Sequence, residues 1–395
     1  MRIRRCAILL IEPREKLEFS LQSVSSGGDG LVSRIELLAL APHLETEIGI
    51  GENEARVLNA VSPTQWVEFS DVAPHLGDEI VRGLLGKGLL IADHGAHADV
   101  RARDDALRST HWQAHAAVTH YFGRWRGVMA GEDNASANLC SMAELLARLG
   151  DAPPAVHERA APEARVALPG IEGTMFDDLL ERRVTCRNFD ASAAIDLETF
   201  SRMLRRVLGA KPHPIHADSI VLKRTSPSGG GLHPTEGYLL VQRVAGIAPG
   251  LYHYHPVEHS LEPLPLPKGI EAKAFARQMV AAQHYFMDAP VLMALVTRFP
   301  RSFWKYRNHS KAYRVTVLDA GHLSQTLYLS ATDLGLGAFI TAAINEADIE
   351  AAFGLDPLVE SPIAVVGFGH RAVECVTFEF DPNRKVWPDG VEQPR

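Results

Sequence analysis

Cysteine is scarce in this chain. Its 395 residues hold four, Cys6, Cys140, Cys186 and Cys375, far apart and with no CxxC pair, which excludes a disulfide framework and a zinc ribbon. Long apolar runs are missing too, and none approaches the length of a bilayer span. The opening MRIRRCAILLIEP has the basic-then-apolar order of a signal peptide. Its apolar run stops at Glu12, too short for a signal h-region, so the expectation is a soluble, reduced, cytoplasmic protein with no membrane partner. Positive charge is not in excess: the formal net charge is −8, which gives no global field to attract nucleic acid. Several standard site motifs are absent as well. No GxGxxG follows a strand, and GIGENEA lacks the third glycine. There is no GxxxxGK[ST], HExxH or GxSxG, and GLLGKG around Lys87 is wrongly spaced. Of the eighteen histidines, His111 and His115 lie four apart and His253 and His255 alternate. Neither pair has a Cys or Glu at ligand spacing, so no metal site is expected.

What remains is a chain with 46% hydrophobic and 22% charged residues. It is long enough for two domains or more, with sizeable cores. The clearest seam is Gly150–Gly170, where Pro153, Pro154, Pro162 and Pro169 interrupt any helix. This predicts an N-terminal region 1–149, a linker 150–170 and a C-terminal domain 171–395. In the first, IRRCAILLIE and KLEFSLQSV read as two strands around a turn, followed by an irregular segment. NEARVLNAV, FSDVAPHL and DEIVRGLLGKG read as helices and LLIAD as a strand, the layout of a small winged-helix module. Asp78, Glu79, Arg82 and Lys87 give its charged helix no basic excess, which favours gripping a peptide, by strand addition for example, over DNA. Residues 111–149 read as helical. Beyond the linker, helices and strands mingle without a βαβ repeat, so the fold class is α+β. DAGHLSQTLYLSATDLGLG reads as a long helix stopped by Gly335 and Gly337.

Three stretches could carry chemistry. ERRVTCRNFD places Arg182, Arg183 and Arg187 around the hydroxyl of Thr185. Such a set suits a phosphate monoester, since guanidinium forks bind it bidentately, and it equally fits a solvated basic turn. RTSPSGGGLHPTEGY strips side chains from successive positions, letting backbone amides approach a flat or phosphorylated ligand. A flexible loop is the alternative, though flanking prolines argue for a fixed shape. SFWKYRNHSKAYR interleaves Lys305, Arg307, Lys311 and Arg314 with Trp304, Tyr306 and Tyr313. That is a nucleic-acid footprint in form, yet the acidic chain speaks against it.

Taken in order, RRxTxR, PSGGGLHP, PGLYHYHP, WKY, DAGHLSQTLYLSATDLGLG and PIAVVGFG resemble the SagB-type dehydrogenases. These are azoline oxidases of the FMN-dependent nitroreductase superfamily, which show RRSxRxF, PSAGALYP, GLYHYDP, a Lys-Tyr pair and DAGHxxQNLYLxA. The resemblance covers Phe176 to Gly369 and implies a nitroreductase-like domain, a mixed sheet flanked by helices. The N-terminal module resembles, by layout alone, the winged-helix peptide-recognition elements of peptide-maturation enzymes. The family resemblance further implies a homodimer with FMN between subunits. Arg182, Arg183, Thr185 and Arg187 would take the FMN phosphate, with Arg371 a further contact. Pro227, Ser228, Gly229 and Gly230 would lie along the isoalloxazine, and Ala342 and Ala343 would present amides to flavin N5. Here Gly229 and Gly231 stand for the alanines of PSAGALYP, His233 for its tyrosine, and Thr326 for the asparagine of QNLYL. Those last two changes bear on substrate shape and flavin contacts.

The resemblance also implies the reaction: oxidation of a thiazoline or oxazoline in a ribosomally made precursor peptide to the azole, alongside a cyclodehydratase or other maturation enzymes. Lys305 and Tyr306 would form the catalytic pair. An ordinary lysine, with a pKa of about 10.4, is protonated at neutral pH, so a base role needs burial or cationic neighbours. Two other functions fit the sequence. One is an NAD(P)H-driven flavin reductase of nitro, quinone or dehydroamino-acid substrates. The other is a flavin-free scaffold that binds a leader peptide.

Overall fold

A computed structural model of the chain describes residues 1–95, 97–137, 141–216, 219–267 and 269–388; Cys140 lies outside them. The chain forms two compact units. One comprises Met1–Arg124, Arg298–Val315 and Asp356–Glu360, the other Trp125–Thr297, Thr316–Leu355 and Ser361–Arg395. These borders differ from the sequence expectation of 1–149, 150–170 and 171–395. The proline-rich stretch 150–170 is exposed throughout and carries only the single turn Pro162–Ala164, but the compact units part at Arg124.

In the first unit, strand Arg2–Arg5 lies between Val67–Glu68 and Leu90–Ala92 in an antiparallel sheet. Helices Glu52–Ala60, Phe69–Leu76 and Asp78–Gly86 cover it. They and strand Leu90–Ala92 fall where the hydrophobic periodicity puts them, because each contributes to one core: Ile3, Val57, Leu58, Val81, Leu84 and Leu90 are buried together. Gly77, at φ 94, makes the sharp corner between the last two helices, a conformation that suits glycine. The first two expected strands are drawn differently. The chain pairs Leu10–Phe19 with Leu31–Leu40 in one long hairpin, in register from Leu10↔Leu40 to Phe19↔Leu31. No turn interrupts Leu10–Phe19, and the second half of KLEFSLQSV is the short helix Leu21–Ser25. The outer part of this hairpin is exposed on both faces, so no alternation of buried and exposed residues marks it in the sequence.

The second unit is built on a six-stranded sheet. Its order is Ser260–Leu264, Gly250–His255, Thr235–Val241, Val291–Arg298, Glu360–Gly369, Gly337–Thr341. The expected pairing of EGYLLVQRV with PGLYHYHP is present, with Leu240 opposite Leu251. Strand Val291–Arg298 is buried on both faces, which explains its unbroken apolar run. Leu239, Val241, Met293 and Leu295 point to one side, beneath helix Leu197–Val207 and the long helix Ala312–Asp333. Leu240, Leu292, Ala294 and Val296 point to the other, against Phe275, Met279, Phe286 and Phe353. Asp196 caps helix Leu197–Val207 by accepting from Thr199 N at 2.8 Å.

The long helix begins earlier than DAGH, at Ala312, and ends at Asp333 with Gly335 at φ 70. Gly337 does not terminate it. It opens the next strand, where a Cβ would meet Cys186 Sγ at 2.5 Å. The glycine is there for close packing rather than for helix ending.

Candidate functional site

In the second unit the long helix holds both the arginine motif and the glycine loop, and the Ala342–Ala343 turn follows the edge strand Gly337–Thr341. Helix Met175–Glu181 ends at Arg182, whose Nε donates to Asp178 at 2.7 Å. The chain then runs as an extended segment along the edge strand Gly337–Thr341: Thr185 bridges Ala338, and Cys186 N donates to Ala338 O at 2.8 Å. Tyr328, on the long helix, fixes this edge. Its hydroxyl lies 3.0 Å from Thr185 Oγ1 and accepts from Ile340 N at 3.2 Å, while the Arg183 guanidinium lies 5.3 Å over its ring. The Arg187 guanidinium lies 5.9 Å from the Tyr285 ring. Among the described residues neither Arg183 nor Arg187 has a carboxylate partner, whereas Arg182 and Arg371 do.

Arg371 is engaged inward. It donates to Glu379 and, at 3.0 Å, to Val184 O. Glu379 is fully buried and also accepts from Arg187 N (2.5 Å), Asn188 N (3.0 Å), Asn188 Nδ2 (2.9 Å) and Trp387 Nε1 (2.9 Å). The C-terminal segment thereby holds the arginine strand in place. Burial pushes the Cys186 thiol up to about 12, so it is an inert packing group at neutral pH.

The glycine loop has a fixed shape. Gly229–Gly231 form a 3₁₀ turn with Gly230 at φ 65 and Gly231 at φ 70. Asp319, buried on the long helix, accepts from Ser228 Oγ at 2.6 Å and from Gly229 N at 3.0 Å. His233, at φ 47, donates its amide to Ser228 Oγ at 2.9 Å. Thr326 contacts Ser226 Oγ at 2.6 Å, so the threonine that replaces asparagine fastens the start of the loop. Asp319 and Tyr328 stand about 13 Å apart along the helix at 1.5 Å per residue. One helix thus fixes the loop at one point and the arginine strand at another.

The turn after strand Gly337–Thr341 is also secured. Ala342 is exposed, while Ala343 N donates to Thr341 Oγ1 at 3.2 Å and Ala343 O accepts from Gln283 Nε2 at 2.8 Å. Asn345, fully buried, bonds Val128 and Gln278 backbone groups and locks the turn from beneath. Asp319, Tyr328, Glu379 and Asn345 were not singled out as site residues from sequence. Asp319 and Tyr328 do lie within the DAGHLSQTLYL motif, which marked them in retrospect. Glu379 carries no local signal.

Lys305 and Tyr306 belong to the first unit. They follow helix Phe299–Phe303, where Lys305 N and Tyr306 N both donate to Ser302 O at 3.2 Å. An aromatic cluster anchors this stretch: Trp112 packs against Phe299, Phe303, Tyr313 and His120, and its Nε1 donates to Leu358 O at 2.9 Å. Burial lowers the His120 pKa to about 3, so it is a neutral ring. Lys305 itself is exposed, with Nζ 5.5 Å from the Tyr306 ring centre, and Trp304 is 63% exposed. The structure therefore gives Lys305 no burial of its own.

The donor set fits an FMN phosphate: two guanidiniums, without carboxylate partners among the described residues, flank a hydroxyl on one extended strand. The nitroreductase family model matches residues 180–370. The chain is also 30% identical over 202 residues to protein MJ1384 of Methanocaldococcus jannaschii, which carries a nitroreductase name; that match covers 50% of this chain and 94% of the other. The chain belongs to the nitroreductase family. Within it, the SagB-type resemblance is supported by two peptide-processing relatives. The trifolitoxin-processing protein TfxB of Rhizobium leguminosarum bv. trifolii is 33% identical over 147 residues, 36% of this chain and 38% of that protein. The microcin B17-processing protein McbC of Escherichia coli is 24% identical over 194 residues, 48% of this chain and 67% of that protein. The chain thus spans well under half the length of TfxB. Among the described residues no helix is long and apolar enough to cross a membrane.

Proposed function

We propose that this protein is an FMN-dependent dehydrogenase of ribosomal peptide maturation that oxidises thiazoline or oxazoline rings to azoles. The observation that carries it is the pair Arg183 and Arg187 on either side of Thr185, without carboxylate partners among the described residues, in a chain similar to two peptide-processing proteins. Arg182, Arg183, Thr185 and Arg187 would bind the phosphate, the Pro227–Gly230 loop would support the ring system, and the Ala342–Ala343 turn would face its reactive edge. Because Arg371 is matched by Glu379, its part is to hold the strand, through Val184 O.

When bound, FMN supplies a two-electron hydride acceptor. The azoline loses a hydride from one ring carbon and a proton from the neighbouring position. Lys305 takes that proton and Tyr306 positions the ring. Since Lys305 is exposed, closure of the peptide over it would strip water from its amine and favour the neutral, basic form.

The first unit is where a peptide partner would bind. A cavity of about 360 Å³ lies between helix Asp78–Gly86 and the edge strand Leu90–Ala92, lined by Leu85, Leu90, Ile91 and Arg82. An edge strand beside an apolar cleft suits strand addition by an extended peptide.

The test is the absorbance spectrum of the purified protein, followed by turnover. A yellow protein that lightens an azoline peptide by two hydrogens is expected. Lys305→Ala and Tyr306→Phe should keep the flavin and lose turnover. Colourless protein that binds peptide would select the scaffold reading, and rapid bleaching by NAD(P)H without peptide the reductase reading.

A further inference from the structure

The second unit has a cavity of about 870 Å³ at the C-terminal end of helix Leu197–Val207, reaching Arg224 and Thr225 but lined by none of Arg182–Arg187 or Pro227–Gly230. The base of the hairpin Lys211–His216 and Ser219–Lys223 forms one wall, and the turn at Pro256–His259 another. The volume is in the range of small-ligand sites. Six of its fourteen lining residues are Arg or Lys and none is Asp or Glu, although the whole chain has a net charge of −8.

Two of these cations are neutralised from outside the cavity, Arg202 by Glu198 and Arg206 by Asp333. Arg205, Lys211 and Lys223 make no ion pair among the described residues. Moreover Lys211 sits directly opposite Lys223 in the hairpin register. Like charges at opposite cross-strand positions are destabilising, so this hairpin carries a repulsion that a bound anion would relieve. His259 does not contribute charge. Its ring is held by Ser201 Oγ at 2.8 Å and Tyr254 OH at 2.7 Å, and burial with the nearby Arg205 lowers its pKa. Between the cations the surface is apolar, made by Ala210, Pro212, Pro256 and Val257.

We propose that this cavity is a second binding site, taking the acidic side chains of an extended peptide segment. Alternating apolar and cationic surface suits a peptide better than a bare polyphosphate, which has nothing to place on the prolines. Guanidinium and ammonium groups pair with its carboxylates. The hairpin is a two-stranded ribbon with both edges open among the described residues; Pro212 and Pro214 give one edge carbonyls but no N–H, so the edge of Ser219–Lys223 is the one that offers backbone donors as well. The identification of the ligand as peptide rests on the function proposed above; the anion-binding character rests on the cavity alone.

The experiment uses the full chain as purified, with fluorescently labelled hexaglutamate as the probe, hexaglutamine as the neutral control and inorganic triphosphate as competitor. Hexaglutamate should bind, more weakly as salt rises, with at least a tenfold loss in Lys223→Glu and in Arg205→Glu. Lys223→Glu converts the cross-strand repulsion into attraction, so its melting temperature should rise by about 1–2 °C. Hexaglutamate should raise the melting temperature of the wild type but not of that variant. Equal binding of hexaglutamate by wild type and both variants would overturn the proposal. So would equal binding of hexaglutamine, or binding of triphosphate alone. Colourless protein that still binds hexaglutamate through Arg205 and Lys223 would sink the dehydrogenase reading and leave this site standing.

Discussion

Replacing Glu379 with glutamine should damage this protein more than any surface change at the arginine motif. The carboxylate is fully buried and serves five donors: Arg187 N, Asn188 N, Asn188 Nδ2, Trp387 Nε1 and the Arg371 guanidinium. Glutamine keeps the shape and one acceptor oxygen, which can continue to serve Arg187 N and Asn188. Its amide must then face Arg371 and Trp387 Nε1, donor against donor, and the guanidinium loses its counter-charge. Breaking a buried ion pair from one side costs about 3–5 kcal/mol, a large part of the stability of an ordinary domain. The melting temperature should fall by about 6 °C or more. The double variant Glu379→Gln with Arg371→Met removes the stranded charge, so it should recover part of that loss. Flavin affinity should follow the same order, because the Arg371 guanidinium displaced in the single variant also holds the arginine strand at Val184 O. The assays are thermal unfolding and flavin titration of wild type, single and double variants. A loss below about 1 kcal/mol in the single variant, or a double variant worse than the single, would refute the reasoning.

Other outcomes follow from the same geometry. Arg183→Gln and Arg187→Gln should each weaken FMN binding by roughly 10–100-fold, the worth of a charge-assisted hydrogen bond of about 1.5–3 kcal/mol, with little change in melting temperature of the flavin-free protein; equal affinity by titration would remove them from the phosphate site. Asp319→Ala should cost about 1–3 kcal/mol, since it strands Ser228 Oγ and Gly229 N, and limited proteolysis should then cut near the glycine loop; an uncut loop would show that it is held by other means. For His253, burial alone would lower the pKa, but hydrogen bonds to Glu236 and Glu262 raise it above 6.5. Its contribution is therefore fully present below about pH 6.5 and lost as pH rises through the higher folded value. The melting-temperature gap between wild type and His253→Gln should be widest in acid and close as pH rises, and a gap constant with pH would contradict it.

What was legible in the sequence was whatever is built from neighbours in the chain. Arg182, Arg183, Thr185 and Arg187 share one short segment, and three successive glycines mark a loop by themselves. Strand Val291–Arg298 and helix Leu197–Val207 announce their burial by local pattern. The hairpin Leu10–Phe19 with Leu31–Leu40 did not, because its outer half covers no core and leaves no periodic trace. Nor did the residues that fasten the site, whose partners lie far off in sequence: Asp319 with Ser228, Tyr328 with Thr185, Glu379 with Asn188. Each is an ordinary polar residue until the fold brings its partner to it.

The stretch SFWKYRNHSKAYR shows the same limit from the other side. Its rings and cations suggested either a strand-binding surface or a base lowered by its neighbours, and the alternation alone could not separate them. In the structure the rings divide by role. Tyr313 joins Trp112, His120 and Phe299 in a buried cluster, while Trp304 is exposed and Lys305 faces solvent beside Tyr306. Anchored rings fix where the lysine stands, and exposure leaves its basicity to whatever covers it. If Lys305 is the base, the substrate peptide must itself supply the desolvation that makes it one, so substrate binding and base activation would be one event. A solvent-exposed lysine that needs no such cover would show the same pH dependence in the free enzyme and in the substrate complex. A desolvated one should show a lower apparent pKa in kcat than in kcat/KM.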